Sequence, residues 1–215
     1  MEQIELIQRE ITKVALSLIA DSDFALAGSG AIREHGLINR PTEDIDLFTT
    51  DMDSSHFDRN VDLIIDGLVA SGYQVMPRQR AERFARLVVE KDSLIANIDL
   101  GVDWRDSLPV VMDIGPVLSR EDAVASKTST LFSRSEARDF LDVDRIRTSG
   151  YYSDEELLDM IRSRDLGFDL DMFIKLLEYA NRLKPYQVNV YGVSDDQLVD
   201  VKARYSAWAE TLKKL

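Results

Sequence analysis

The chain has 215 residues, 45% of them hydrophobic and 30% charged, with no cysteine and a formal net charge of −13. That is enough for one sizeable core and a second lobe, and the lack of cysteine excludes disulfides and thiolate metal sites, which fits a cytoplasmic protein. The acidic balance offers no long-range attraction to nucleic acid or anionic membrane, though it leaves room for a local basic cleft, and no apolar run is long enough to span a membrane.

The opening segment, MEQIELIQREITKVALSLIADSD, is charged throughout. It places Ile4, Ile7, Ile11, Val14 and Leu18 at helical spacing and lacks the basic start and cleavage site of a secretory leader. FALAG (24–28) reads as a short buried strand and residues 29–36 as a helical turn ending near Gly36. Asn39-Arg40-Pro41-Thr42 reads as loop, since Pro41 disfavours helix. Residues 44–49 read as a strand. Residues 54–71 carry Phe57, Val61, Ile64, Ile65 and Leu68 on one side, a helix closed by Gly72. A short strand is expected at 73–76. Two β-like runs, 83–90 and 93–102, flank Lys91-Asp92 as a hairpin, and a short strand at 110–113 ends at Gly115-Pro116. From Ser119 the period is helical, predicting helices over 119–133, 136–147, 153–164, 169–183 and 194–214 with a linker at 184–193. Ser153 with Glu156, and Ser194 with Gln197, have capping-box spacing. The chain thus divides into an α/β half, 1–117, and a helical half, 118–215.

The chemistry concentrates between Gly28 and Phe48. In a strand, Asp44 and Asp46 share one face while Ile45 and Leu47 point to the other. Two neighbouring carboxylates repel unless a cation lies between them. Magnesium takes oxygen ligands and leaves positions for water and phosphate. Asp99, between Ile98 and Leu100 in the second hairpin strand, is a third candidate ligand, and three such carboxylates suit a two-metal phosphoryl-transfer site. Gly28-Ser29, after a strand and opening a helix, can cradle a phosphate with backbone N–H groups and the Ser29 hydroxyl. Plainer readings stand beside these: Asp99 also fits an exposed hairpin face, and Gly28-Ser29 also fits an ordinary helix N-cap.

The order Gly28-Ser29, Asp44-Ile45-Asp46, then Asp99 resembles the nucleotidyltransferase superfamily of DNA polymerase β type. The longer stretches LAGSGAIREHGLINRPTEDIDLF and KTSTLFSRSEARDFLDV resemble the AbiEii/AbiGii toxins, which include the MenT toxins. The loop between Ser29 and Asp44 is longer than is usual for the superfamily. The resemblance implies an α+β fold, a polymerase-β-type nucleotidyltransferase core with a small mixed sheet followed by a C-terminal helical lobe. It implies a magnesium-dependent enzyme using a nucleoside triphosphate, with tRNA 3′ ends as one acceptor and a cognate antitoxin as partner. It also implies a lysine and an R-D-x-x-D segment in the helical lobe, which fall on Lys127, Arg138, Asp139 and Asp142. Lys127 would reach a β- or γ-phosphate, and Arg134 or Arg138 a phosphate or the RNA end. Asp139 and Asp142 would orient these cations or act as a base. If 119–133 and 136–147 form one helix, Lys127, Leu131, Arg134, Arg138 and Asp142 lie on one stripe. A plainer reading makes Arg138–Asp142 an i,i+4 ion pair.

Two basic clusters, Arg78/Arg80/Arg83/Arg86 and Arg134/Arg138/Arg145/Arg147, read equally as surface charge paired to nearby acids. Three other functions stay open. One is transfer to a small molecule such as an aminoglycoside, whose positive charge suits an acidic protein. Another is a catalytically silent binding module on the same fold. The third is transfer to protein, including this chain itself, at a hydroxyl such as that of Ser29 or Thr42.

Overall fold

The computed structural model describes residues 2–214. They fall into two units, one comprising the chain up to His35 with Pro41–Ala123, the other Gly36–Arg40 with the chain from Val124 onward.

In the first unit, α1 (Glu2–Leu18) buries Ile7, Ile11, Ala15 and Leu16. Its apolar stripe is rotated from the expected one, for Ile4 is exposed. Gln8 and Thr12 are buried in its place. Gln8 has a purpose there. Its Nε2 donates to Thr42 O at 3.1 Å and its Oε1 accepts from Thr42 Oγ1 at 2.9 Å, which pins the chain two residues before Asp44.

The first strand, β1 (Ala25–Leu26), leads into α2 (Gly28–Glu34), and β2 (Asp44–Thr49) into α3 (Ser54–Ala70). Asp53 caps α3 by accepting from the N–H groups of Ser55 and His56, as the start of a helix requires. Next come β3 (Gln74–Ala81), β4 (Phe84–Lys91), β5 (Leu94–Val102), β6 (Val110–Met112) and β7 (Gly115–Val117). These seven strands form one sheet in the order β3-β4-β5-β2-β1-β7-β6. The β2–β5 and β1–β7 pairs are parallel and the others antiparallel.

Three details of the sheet differ from the sequence reading. The third strand runs through Pro77, where the register shifts, and an edge strand tolerates that proline. Gly115–Val117 is itself a strand. The hairpin turns at Asp92-Ser93, not Lys91-Asp92, and both turn residues are left-handed, with φ of 52° and 66°.

The helix α4 (Arg120–Ser133) begins in the first unit and continues into the second. There follow α5 (Ala137–Thr148), α6 (Asp154–Arg164), α7 (Leu170–Tyr179), α8 (Pro185–Val188) and α9 (Asp195–Leu212). The expected linker at 184–193 therefore contains a short helix, opened by a proline in its first turn where no N–H is needed. The core of this unit centres on Phe140, Phe173, Leu177, Tyr205 and Trp208. Phe173 meets Trp208 edge-on at 5.3 Å, and Phe140 meets Tyr205 likewise at 5.2 Å. Among the described residues no helix is long and apolar enough to cross a membrane.

Candidate active site

In β2 the alternation is as expected: Ile45 and Leu47 are buried, while Asp44 and Asp46 on the other face are half-buried. Parallel pairing sets Asn97 beside Asp44 and Asp99 beside Asp46. The antiparallel neighbour β4 sets Arg86 opposite Asp99. Register partners share a face, so Arg86, Asp99 and Asp46 form a row across three strands. Asp99 is buried, which removes the exposed-hairpin reading. The Arg86 guanidinium grips both its oxygens, Nε to Oδ1 at 2.6 Å and Nη2 to Oδ2 at 2.5 Å. Hydrogen bonding to Asp99 and its charge hold the Arg86 guanidinium above its ordinary pKa, and the charges of Asp44 and Asp46 add to this.

Gly28 completes this face. A Cβ built on it would lie 1.8 Å from Asp46 Oδ2, and its φ is +55°. Only glycine lets the Asp46 carboxylate approach the start of α2 so closely. The N-cap of α2 is Ala27, whose side chain cannot cap, so Ser29 lies inside the helix and is not its cap. Asp44 and Asp46, paired oxygen donors on one face, suit a hard divalent cation. Among the described residues no group of three or more His, Asp or Glu side chains is arranged to hold a metal ion.

The second unit holds a polar network. Lys127, 6% exposed, lies 3.4 Å from Asp139 Oδ1 and 3.1 Å from Asp142 Oδ2, and both aspartates are fully buried. Arg134 donates to both oxygens of Asp139, at 3.1 and 2.8 Å. Asp139 also accepts from Glu136 N at 3.1 Å, closing a capping box at the start of α5. Burial pushes the Asp139 carboxyl up. The Arg134 hydrogen bonds, the Lys127 and Arg134 charges and the Glu136 N–H outweigh it, so its pKa falls below the ordinary carboxylate value. Asp142 is held by Arg40, whose Nε and Nη2 each donate at 2.6 Å. The Arg40 guanidinium also lies over the Tyr191 ring, 5.1 Å from its centroid. Arg138 Nε donates to Glu136 Oε2 at 2.9 Å.

The single-helix stripe does not form. The helix stops at Ser133, Ser135 is left-handed at φ 59°, and a new helix starts at Ala137. Lys127 nevertheless meets Asp139 and Asp142, because the chain folds back at the break. Sequence reasoning missed Arg40, which sits in a stretch read as plain loop. It placed Arg86 only in a generic basic cluster. Within that cluster Arg80 matches the paired-surface reading, bonding Asp58 at 3.0 Å and Asp62 at 2.6 Å.

The family model of the AbiEii nucleotidyl transferase toxin, of type IV toxin–antitoxin systems, matches residues 17–212. Among solved structures the chain is similar to JHP933 from Helicobacter pylori, with TM-score 0.60 and 16% identity over 100% of this chain and 95% of that one. It is also similar to a candidate nucleotidyltransferase from H. pylori, with TM-score 0.59 and 16% identity over 100% and 98%. The antibiotic-resistance factor ANT(2'')-Ia aligns with TM-score 0.38 and 12% identity over 100% and 97%. No curated protein matches the chain. With a mixed-sheet core that carries a D-x-D strand beside a Gly-Ser helix start, and a family match over nearly its whole length, the chain belongs to the AbiEii family of nucleotidyl transferase toxins and is a nucleotidyltransferase.

Proposed function

We propose that the protein transfers a nucleotide from a nucleoside triphosphate to an RNA acceptor, the tRNA 3′ end, with magnesium as cofactor, and that a cognate antitoxin counters it. The observation that carries this is the half-buried pair Asp44 and Asp46 on one strand face, with Gly28 left bare of a side chain beside Asp46. Asp44 and Asp46 would hold the metal ion, with Asp99 as the third carboxylate of the set. When bound, the ion supplies positive charge to the triphosphate and its leaving group. The acceptor hydroxyl gives up its proton to solvent as its oxygen bonds to the α-phosphorus, the bond from that phosphorus to the α–β bridging oxygen breaks and pyrophosphate departs.

The chain's own residues bind and orient. Backbone N–H groups at Gly28 and Ser29 face the triphosphate. Lys127 stabilises its charge, and Arg138 contacts phosphate or the RNA end. Asp139 and Asp142 are read as positioning residues for Lys127: both are buried beside it, and the lowered pKa of Asp139 suits a fixed counter-ion better than a general base working near neutral pH.

The test incubates the protein, and its Asp44→Ala/Asp46→Ala variant, with magnesium, each labelled nucleoside triphosphate and total tRNA. Label at tRNA 3′ ends from the parent only is the expected result. A second acceptor class, a cationic small molecule, is favoured by the net charge of −13. Label on an aminoglycoside with none on RNA would establish it in place of the first. Triphosphate that never binds would leave the silent module.

A further inference from the structure

The row of the strand face next to the carboxylates has no part in the proposed chemistry. Two residues along each strand from Arg86, Asp99 and Asp46, register sets Phe84 beside Gly101 and Gly101 beside Phe48. Residues two apart share a face, so this second row lies on the same side of the sheet, about 7 Å from the first. Gly101 is buried in the middle strand, while both phenylalanines are half-buried. A glycine inside a strand weakens it and needs a reason. Pairing reaches Gly101 from both neighbours without a bulge, so a bulge is not the reason. A Cβ built on Gly101 would meet Phe48 Cδ1 and Cε1 at 3.3 Å and Phe84 Cδ2 at 4.0 Å. The two rings therefore converge from β2 and β4 over the bare backbone of β5. The Arg86 guanidinium lies 6.0 Å from the centroid of the Phe84 ring, which joins the charged row to the aromatic one.

We propose that Phe48 and Phe84 form a stacking platform for a nucleobase, that of the bound triphosphate or the terminal base of the acceptor. The ligand follows from position and chemistry. The first row handles phosphate in the function proposed above, and a base is separated from its phosphate by one ribose, a span comparable to the spacing of the rows. A planar heterocycle gains both apolar burial and aromatic contact on such rings. Hydrocarbon rings offer a base edge no hydrogen bond, so the platform takes all four bases in like measure. Gly101 is a positioning residue, since a side chain there would lift the Phe48 ring. This rests on the reading of the Asp44 and Asp46 face as the place of nucleotidyl transfer.

The experiment measures, with the full-length protein and magnesium, the affinities of the four nucleoside triphosphates, of total tRNA and of inorganic tripolyphosphate, which has the charge and no base. The parent is compared with Phe48→Leu/Phe84→Leu, which keeps apolar bulk over Gly101, and with Phe48→Tyr/Phe84→Tyr, which keeps the rings. If the base is that of the triphosphate, the leucine variant binds every nucleoside triphosphate roughly 10-fold more weakly. Tripolyphosphate is then bound as by the parent, and tyrosine restores the nucleotide affinity. If the base is the acceptor's, triphosphate affinity stays and that for tRNA falls by a similar factor, with tyrosine again restoring it. A leucine variant that leaves nucleotide and tRNA affinities unchanged, or that weakens tripolyphosphate as much as the nucleotides, would overturn the platform. A parent that binds neither nucleoside triphosphate nor tripolyphosphate would instead overturn the reading of the strand face, a different failure. Cooperative urea unfolding of each variant checks that the fold is retained.

Discussion

A methyl group at position 28 is enough to disturb the strand site. In Gly28→Ala the new Cβ meets Asp46 Oδ2, and the left-handed φ costs about 1–2 kcal/mol for a non-glycine residue. Either the carboxylate swings away or the start of α2 moves. Displacement of this size at a reacting centre lowers rates by roughly 100-fold, so nucleotidyl transfer should fall by about that much while the protein still unfolds cooperatively in urea. A Gly28→Ala protein with the parental rate would show that Asp46 is not held at this spot. Arg40→Ala acts on stability. It strips a buried carboxylate of its bidentate partner and should cost about 3–5 kcal/mol in denaturant unfolding. Asp139 adds a pH signature. Its folded pKa lies below its unfolded value, so the stability it contributes is present above the ordinary aspartate pKa and lost as pH falls through the folded value. Asp139→Asn should therefore flatten the acid limb of a stability–pH curve, and an unchanged limb would rule out that carboxylate as its source.

Among the elements, the β4–β5 hairpin decides the most. Its two turn residues, Asp92 and Ser93, are both left-handed, the conformation of a two-residue hairpin turn that favours Asn and Gly. Ser93→Gly should relieve strain and raise unfolding stability by about 0.5–1 kcal/mol, read as a higher denaturant midpoint with unchanged slope. The same turn explains why Arg86 went unrecognised. A turn at Lys91-Asp92 would pair Arg86 with Asn97. A turn one residue later pairs it with Asp99, as observed. Displacing a turn by one residue moves every cross-strand partner by two. Periodicity finds the strands, but turn position sets their register, and Asp-Ser carries a weaker turn signal than Asn-Gly. The break between α4 and α5 has a similar cause: one left-handed serine redirects the chain where helical periodicity continues on both sides.

For the whole molecule, the charge of −13 bears on the acceptor. A polyanionic RNA meets long-range repulsion that salt screens within about 10 Å at roughly 0.1 M. Its kcat/KM should hold steady or rise as ionic strength increases. For a cationic small-molecule acceptor it should fall, so a salt series read with both acceptors separates the two. The molecule also shows how far linear reading reaches. Alternation in DIDLF, glycine ahead of a helix, and the change to helical period after Ser119 made the strand aspartates, the helix start and the order of elements legible, because each depends on neighbours a few residues apart. Arg40 is different. The stretch Gly36–Arg40 belongs with the helical unit, and Arg40 finds Asp142 across 102 positions of chain. Arg86 on Asp99, and Gly28 against Asp46, likewise depend on strand register and on how the backbone closes. The sequence by itself determined the strands and helices that bear the candidate residues, because their patterns are local. The tertiary structure alone decided which charges neutralise one another, since buried carboxylates take their partners from wherever the fold brings a cation within hydrogen-bonding reach.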